Sequence, residues 1–146
     1  MKYNGWTDSY FKSTDGSARP GDGNSTNIGL RGWWRPEETG TAAPSISLGF
    51  DASSVDGVAG ARSTNMLFMG LNWQDILNPD DRIGLAFGQP QKNESESTSP
   101  FAWEAYYSYQ LNDSITITPA MFGGVDRNGT AGQDLQGYVL ETTFKF

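Results

Sequence analysis

Apolar residues in this chain alternate with polar or small ones over runs of eight to twelve, and no apolar stripe recurs at helical spacing. Successive side chains of a strand point to opposite faces, so each such run reads as a strand with two chemically different sides. Helical bundles and alternating α/β folds are excluded by the same pattern. At 146 residues the chain is one domain, 1–146, of the all-β antiparallel class.

Eight strands are expected. A weak first strand covers 3–11 and a polar, Gly-rich stretch, 12–25, follows it. The second covers 26–35, with Ile28, Leu30, Gly32 and Trp34 on one face. The third covers 45–52, where Ile46, Leu48, Phe50 and Ala52 alternate with Ser45, Ser47, Gly49 and Asp51. The fourth, 64–73, carries Leu67, Met69, Leu71 and Trp73, with Met66 and Phe68 opposite. Asn78-Pro79-Asp80 turns the chain into a fifth strand with Ile83, Leu85, Phe87 and Gln89. In the sixth, Phe101, Trp103, Ala105, Tyr107, Tyr109 and Leu111 share a face. Asn112-Asp113 marks the tightest turn, before a seventh strand with Ile115 and Ile117. The eighth runs from Leu135 to Phe146.

Charge placement turns this pattern into an expectation about solvent. With the apolar side of each strand set against lipid, Arg31, Arg35, Asp51, Arg82, Glu104, Glu141 and Lys145 all project the other way. An Arg or Lys on the lipid side of a membrane barrel costs roughly 2–4 kcal/mol near the midplane, so a membrane barrel requires this separation. Trp34, Trp73, Tyr109 and Phe146 fall at the same end of alternate strands, as an interfacial girdle would. A soluble lipocalin-like barrel, with its apolar faces inward, would instead turn those charges to water.

Other classes find little support. The net charge of -7 gives no basic surface for nucleic acid. There is no Cys and no His, which removes disulfides, thiolate metal sites and the commonest general base. No nucleophile elbow, phosphate loop or dinucleotide fingerprint occurs, so no enzyme is expected, nor any cofactor or metal. Asp126-x-Asn128-x-Thr130 matches the opening of a calcium loop but lacks the twelfth-position Glu, and a Gly-rich hairpin loop is the simpler reading. No run of 18 apolar residues forms a helical span, and Met1-Lys2-Tyr3-Asn4-Gly5-Trp6 has no signal-peptide core. The chain is therefore expected to be a mature product or a piece of a longer one.

The last strand is the most specific signal. Tyr138, Leu140, Thr142 and Phe144 share a face with Phe146. This pattern is similar to the signal by which the outer-membrane assembly machinery recognises its clients, with Tyr138, Leu140, Phe144 and Phe146 in the matching places. Thr142 departs from it, since a larger apolar residue is usual there. Two further blocks, Ile83 to Lys92 and Trp103 to Pro119, resemble the C-terminal part of OprB-type carbohydrate-selective porins, cyanobacterial outer-membrane members in particular. The likeness runs over 64–146 and is weak before it.

That resemblance implies an antiparallel transmembrane β-barrel of about sixteen strands, of which this chain supplies the C-terminal half. It also implies a bacterial outer-membrane location and passive diffusion of small hydrophilic solutes such as sugars or inorganic ions. Outer-membrane lipid and the assembly machinery would be its partners, and homotrimers are common in the class. About eight strands alone would leave an interior filled by side chains, which favours the half-barrel. The pore-lining candidates are Arg31, Arg35, Asp51, Arg82, Glu104, Tyr106, Glu141 and Lys145, with Tyr106 offering a face to sugar rings. The girdle candidates are Trp34, Trp73 and Tyr109. The alternative is a complete small eight-stranded barrel with a structural or adhesion role. Small residues on the charged faces (Gly29, Ser45, Ser47, Gly49, Gly84, Ala86, Gly88, Ala102) suit a wide lumen better.

Overall fold

The computed structural model describes residues 25–55, 63–94 and 96–146. They form one antiparallel sheet of seven strands in sequence order: β1 (Ser25–Trp34), β2 (Ser45–Val55), β3 (Ser63–Gln74), β4 (Arg82–Asn93), β5 (Phe101–Asn112), β6 (Ile115–Val125) and β7 (Leu135–Phe144). The seven strands correspond to the second through eighth of the expected set. The expected strand at 3–11 lies outside the described residues.

Alternation is what places these strands, and the register shows that neighbours agree on it. One unbroken row runs Trp34, Ile46, Leu71, Leu85, Ala105, Met121, Tyr138 through all seven strands. The next row on the opposite face runs Trp33, Ser47, Gly70, Ala86, Glu104, Phe122, Gly137. A slip of one residue in any pair would have interleaved the two sets. Irregularities occur between Asn65 and Leu67 and between Gln110 and Asn112, close to opposite rims of the sheet. Bulges collect at such rims, where they bend a strand and end its pairing.

Connections 35–44, 75–81 and 113–114 lie at the end of the sheet carrying Trp34 and Trp73, called the lower end below. The upper end carries the connection 126–134, the end of β2 and start of β3, and the end of β4 and start of β5. At the lower end only Asp113-Ser114 is a tight two-residue turn, and 35–44 spans ten residues. At the upper end, Arg127–Gly129 forms a single 3-10 turn after Asp126. Asp126 Oδ1 accepts from the Gly132 N–H, which is loop closure and fits the hairpin reading of that segment.

No aliphatic or aromatic side chain is buried among the described residues, and Leu30, Trp33, Leu67, Tyr138 and Leu140 are more than half exposed. A single sheet has no second layer to pack against, so its apolar face stays uncovered. The pairing pattern adds a constraint. Each of β1 and β7 is paired on one side only among the described residues, and with six antiparallel steps between them they run in the same direction. Direct pairing of β7 to β1 would be parallel. Antiparallel closure needs an odd number of further strands.

Candidate functional site

The charged face carries the candidate pore residues, and the structure joins some of them. Arg31 of β1 and Asp51 of β2 form an ion pair of 2.6 Å, where Gly29 is the direct partner of Asp51 and leaves space for it. The Arg31 guanidinium also lies over the Phe68 ring, 5.5 Å from its centre, in a cation–π arrangement. Phe68 in turn covers Gly49, its direct partner on β2. One lateral row thus reads cation, glycine, aromatic across three strands.

Tyr106 repeats the device further along the sheet. Its ring covers Gly84, its partner on β4, and its hydroxyl accepts a hydrogen bond of 2.8 Å from Asn72 Nδ2 on β3. Phe122 covers Gly137 in the same way, and Trp103 covers Gly123 on the apolar face. The expected wide space beside Gly49 and Gly84 is therefore occupied by rings from the neighbouring strand. Gly88 is equally closed, since a methyl group there would meet the backbone of Leu67 and Phe68. These glycines are small because something lies over them.

Arg82, Glu104 and Glu141 share the charged face with the Arg31–Asp51 pair, as register requires. No ion pair joins Arg82, Glu104 and Glu141 to one another among the described residues. Glu141 accepts a hydrogen bond from Thr143 Oγ1. Arg35 and Lys145 each lie one residue past the end of their strands, at the lower rim, with the Lys145 N–H donating to Ser114 O.

The aromatic end positions gain a geometry that only the register supplies. Taking the row of Trp34 as zero, Trp73 lies two residues beyond Leu71 on β3, Tyr109 four beyond Ala105 on β5, and Phe144 six beyond Tyr138 on β7. The series advances by one residue per strand. With strands about 4.8 Å apart and a rise of about 3.3 Å per residue, such a line is level when the strands tilt by roughly 35°. The final member is Phe144. Phe146, expected at this place, lies past the strand and is fully exposed.

The opposite border follows the same slope. Thr26, Asn65, Phe101 and Gln136 each precede those four aromatics by eight residues on their own strands. Three of the four are polar, and Asn65 Oδ1 accepts a hydrogen bond from Gln89 Nε2 across the β3–β4 pair. At 35° of tilt, eight residues span roughly 22 Å. Between the two borders the face carries Ile28, Leu30, Leu67, Met69, Leu71, Trp103, Tyr107, Tyr138 and Leu140, and no charge. Arg31 and Glu104 lie at intermediate height on the other face.

The turn joining β3 to β4, expected at Asn78-Pro79-Asp80, is a well-organised polar feature built on Asp81, which the sequence reading did not single out. Asp81, 1% exposed, accepts hydrogen bonds from the N–H groups of Ile76, Leu77 and Asn78 and from the Tyr107 hydroxyl. Burial pushes its carboxyl upward, but these donors outweigh that and hold it below its ordinary value. Asp75 Oδ1 accepts from the Asp80 N–H, and both residues adopt positive φ. The Asn78-Pro79-Asp80-Asp81 string was the available signal, since aspartates cap tight turns.

In comparisons with known proteins, the chain matches no family model, no curated protein and no solved structure.

Proposed function

We propose that this chain forms part of the wall of a bacterial outer-membrane β-barrel through which small hydrophilic solutes diffuse passively, a porin of the OprB type. The observation that carries the reading is the uncharged apolar band, bordered by Trp34, Trp73, Tyr109 and Phe144 on a line that advances one residue per strand. Membrane barrels tilt their strands by roughly 35–45° and carry an apolar band about 25 Å tall with aromatic girdles. A level aromatic line would need a tilt at the lower end of that range, and at that tilt the band of roughly 22 Å is close to that height.

On this reading the charged face looks into water. Arg31, Asp51 and Glu104 at intermediate height set the lumen field, and opposed charges there orient polar solutes such as sugars or inorganic ions. Tyr106 presents one ring face to the lumen, the other being laid on Gly84. No reacting group is required, and the protein acts without enzymatic chemistry. The two-residue turn at Asp113-Ser114 favours a periplasmic lower end, since periplasmic turns are the short ones. The outer edges of β1 and β7 would be closed by further strands in an even-numbered barrel, of sixteen by the family likeness.

A second reading is favoured by parity: antiparallel closure of the described sheet needs an odd number of further strands, and a single one would give a small eight-stranded structural barrel with a filled interior. Reconstitution separates the two. Protein folded into lipid vesicles and fused to a planar bilayer should give discrete ohmic conductance steps. Membrane insertion with a silent bilayer would favour the small structural barrel. A chain that folds and stays in water once detergent is removed would end both readings.

A further inference from the structure

The upper end of the sheet holds two buried polar atoms that neither reading of the barrel explains. Glu96, 8% exposed, lies between β4 and β5, and Thr98 follows it two residues on. Neither Glu96 Oε1 nor Thr98 Oγ1 has a hydrogen-bond partner. The other carboxyl oxygen is engaged. The Asn93 N–H donates to Glu96 Oε2 at 3.2 Å, and the Glu96 N–H donates to Asn93 O at 3.0 Å. This closed turn fixes the side chain and leaves Oε1 inside the protein. No cationic side chain pairs with Glu96 among the described residues. Buried oxygens without a partner are rare in native proteins, because each forfeits its hydration and a charged group forfeits most.

Gly129, in the connection between β6 and β7, lies against the same side chain. A methyl group at Gly129 would come within 2.5 Å of Glu96 Cγ and 2.6 Å of its Cδ. Gly129 belongs to Asp126-x-Asn128-x-Thr130, the string that opens like a calcium loop and lacks the twelfth-position Glu. The fold thus brings a carboxyl from the neighbouring connection to a segment that has the polar opening of such a loop without its closing acid.

We propose that Glu96 Oε1 and Thr98 Oγ1 are ligands of a calcium ion seated between these two connections. A hard cation answers both orphaned oxygens, whereas a water molecule would leave the carboxylate charge unbalanced. Calcium accepts carboxylate, carbonyl and water oxygens in flexible geometry, while magnesium demands a near-ideal octahedron and gives up water reluctantly. Among the described residues no three acidic side chains converge, so the ion meets at most two carboxylates. That low charge count belongs with weak extracellular sites, whose Kd is about 0.1–1 mM. Bound calcium would tie 96–100 to 126–134 as one unit.

Calorimetric titration of the folded, chelator-treated chain in detergent with CaCl2 should show a single site in that range, and MgCl2 should bind at least about tenfold more weakly. Glu96→Gln keeps the shape of the side chain and should lower calcium affinity at least about tenfold. Glu37→Gln, which removes a charge of the same sign at the lower end, should leave it unchanged. Hydrogen exchange gives a second reading: calcium should slow exchange at 96–100 and 126–132 together in the wild type, and at neither in Glu96→Gln. Should Glu96→Gln fail to fold, Thr98→Val replaces it, with an expected loss of at least about threefold. No saturable binding by the wild type up to about 10 mM calcium, or equal affinity in wild type and Glu96→Gln, would overturn the site. Loss of binding in Asp126→Asn with Glu96→Gln unaffected would place the ion within 126–130 alone and overturn it equally.

Discussion

The ring of Tyr106 lies over Gly84, so that a methyl group added at Gly84 would come within 2.0 Å of the ring. The two residues are direct partners on β4 and β5, and each explains the other. A sheet glycine leaves a gap that an aromatic from the next strand can fill, which pins register as well as covering backbone. Gly84→Val should therefore destabilise the folded sheet by about 1–3 kcal/mol through overpacking. Tyr106→Phe, losing only the bond from Asn72, should cost about 1 kcal/mol. Urea unfolding in detergent or vesicles reads both. Adding Tyr106→Ala to Gly84→Val should recover part of the loss, because the clash partner is gone.

The two faces predict opposite responses to the same charge. Met69→Arg places a guanidinium in the middle of the apolar band and should cost roughly 2–4 kcal/mol in vesicles. Ser47→Arg, beside Gly70 on the charged face, should cost little. Folding yield into vesicles, followed by protease protection, makes the comparison. Equal tolerance of both variants would contradict the assignment of lipid and water sides.

Asp81 supplies a pH dependence of known sign. Its carboxyl is held below the ordinary value of 3.8 in the folded turn, so its contribution is present above that value and fades as pH falls through the lower, folded one. The wild-type turn should lose its hydrogen-exchange protection at 76–78 as the solution is taken from about pH 6 to below that value. Asp81→Asn should have less protection at neutral pH and a flatter profile across the same window. A wild type and variant with parallel profiles would mean that the cap contributes nothing in solution.

Gly129 links two upper connections. It sits at φ +66, and a methyl group there would lie 2.5 Å from the side chain of Glu96, which is buried in the β4–β5 connection. Gly129→Ala should lose about 1–2 kcal/mol from the left-handed backbone alone. Displacement of Glu96 should also raise exchange at 96–100 more than at β6. Limited proteolysis of the two connections, which should be cut together in the variant, checks the coupling.

How much of this was legible in the residues depends on the range of the interaction involved. Alternation within a strand is local, so Ile46, Leu48, Phe50 and Ala52 announce both the strand and its face unaided. Charge placement followed for Arg31, Asp51, Arg82, Glu104 and Glu141, which all lie on the expected side. Strand ends are set by the neighbour's ladder, which is why Arg35 and Lys145 fell just outside. Register is wholly non-local. Nothing at Gly49 or Gly84 tells which aromatic will cover it, and nothing at Phe146 tells that the aromatic line meets β7 at Phe144. The Asp81 cap was hidden for a related reason. Its fourth donor, Tyr107, comes from a strand that the turn itself does not contain.

The shared direction of β1 and β7 also limits how copies of this sheet could join. Two seven-stranded sheets can close antiparallel only by meeting β1 to β1 and β7 to β7 about a two-fold axis lying across the barrel. That axis would turn one protomer upside down, sending its Asp113-Ser114 hairpin and its 35–44 loop to the opposite end. On the proposed membrane reading, in which every copy inserts with the same polarity, parity among the described strands leaves β1 and β7 to be sealed by strands of opposite heading and not by the same described sheet of a sibling copy.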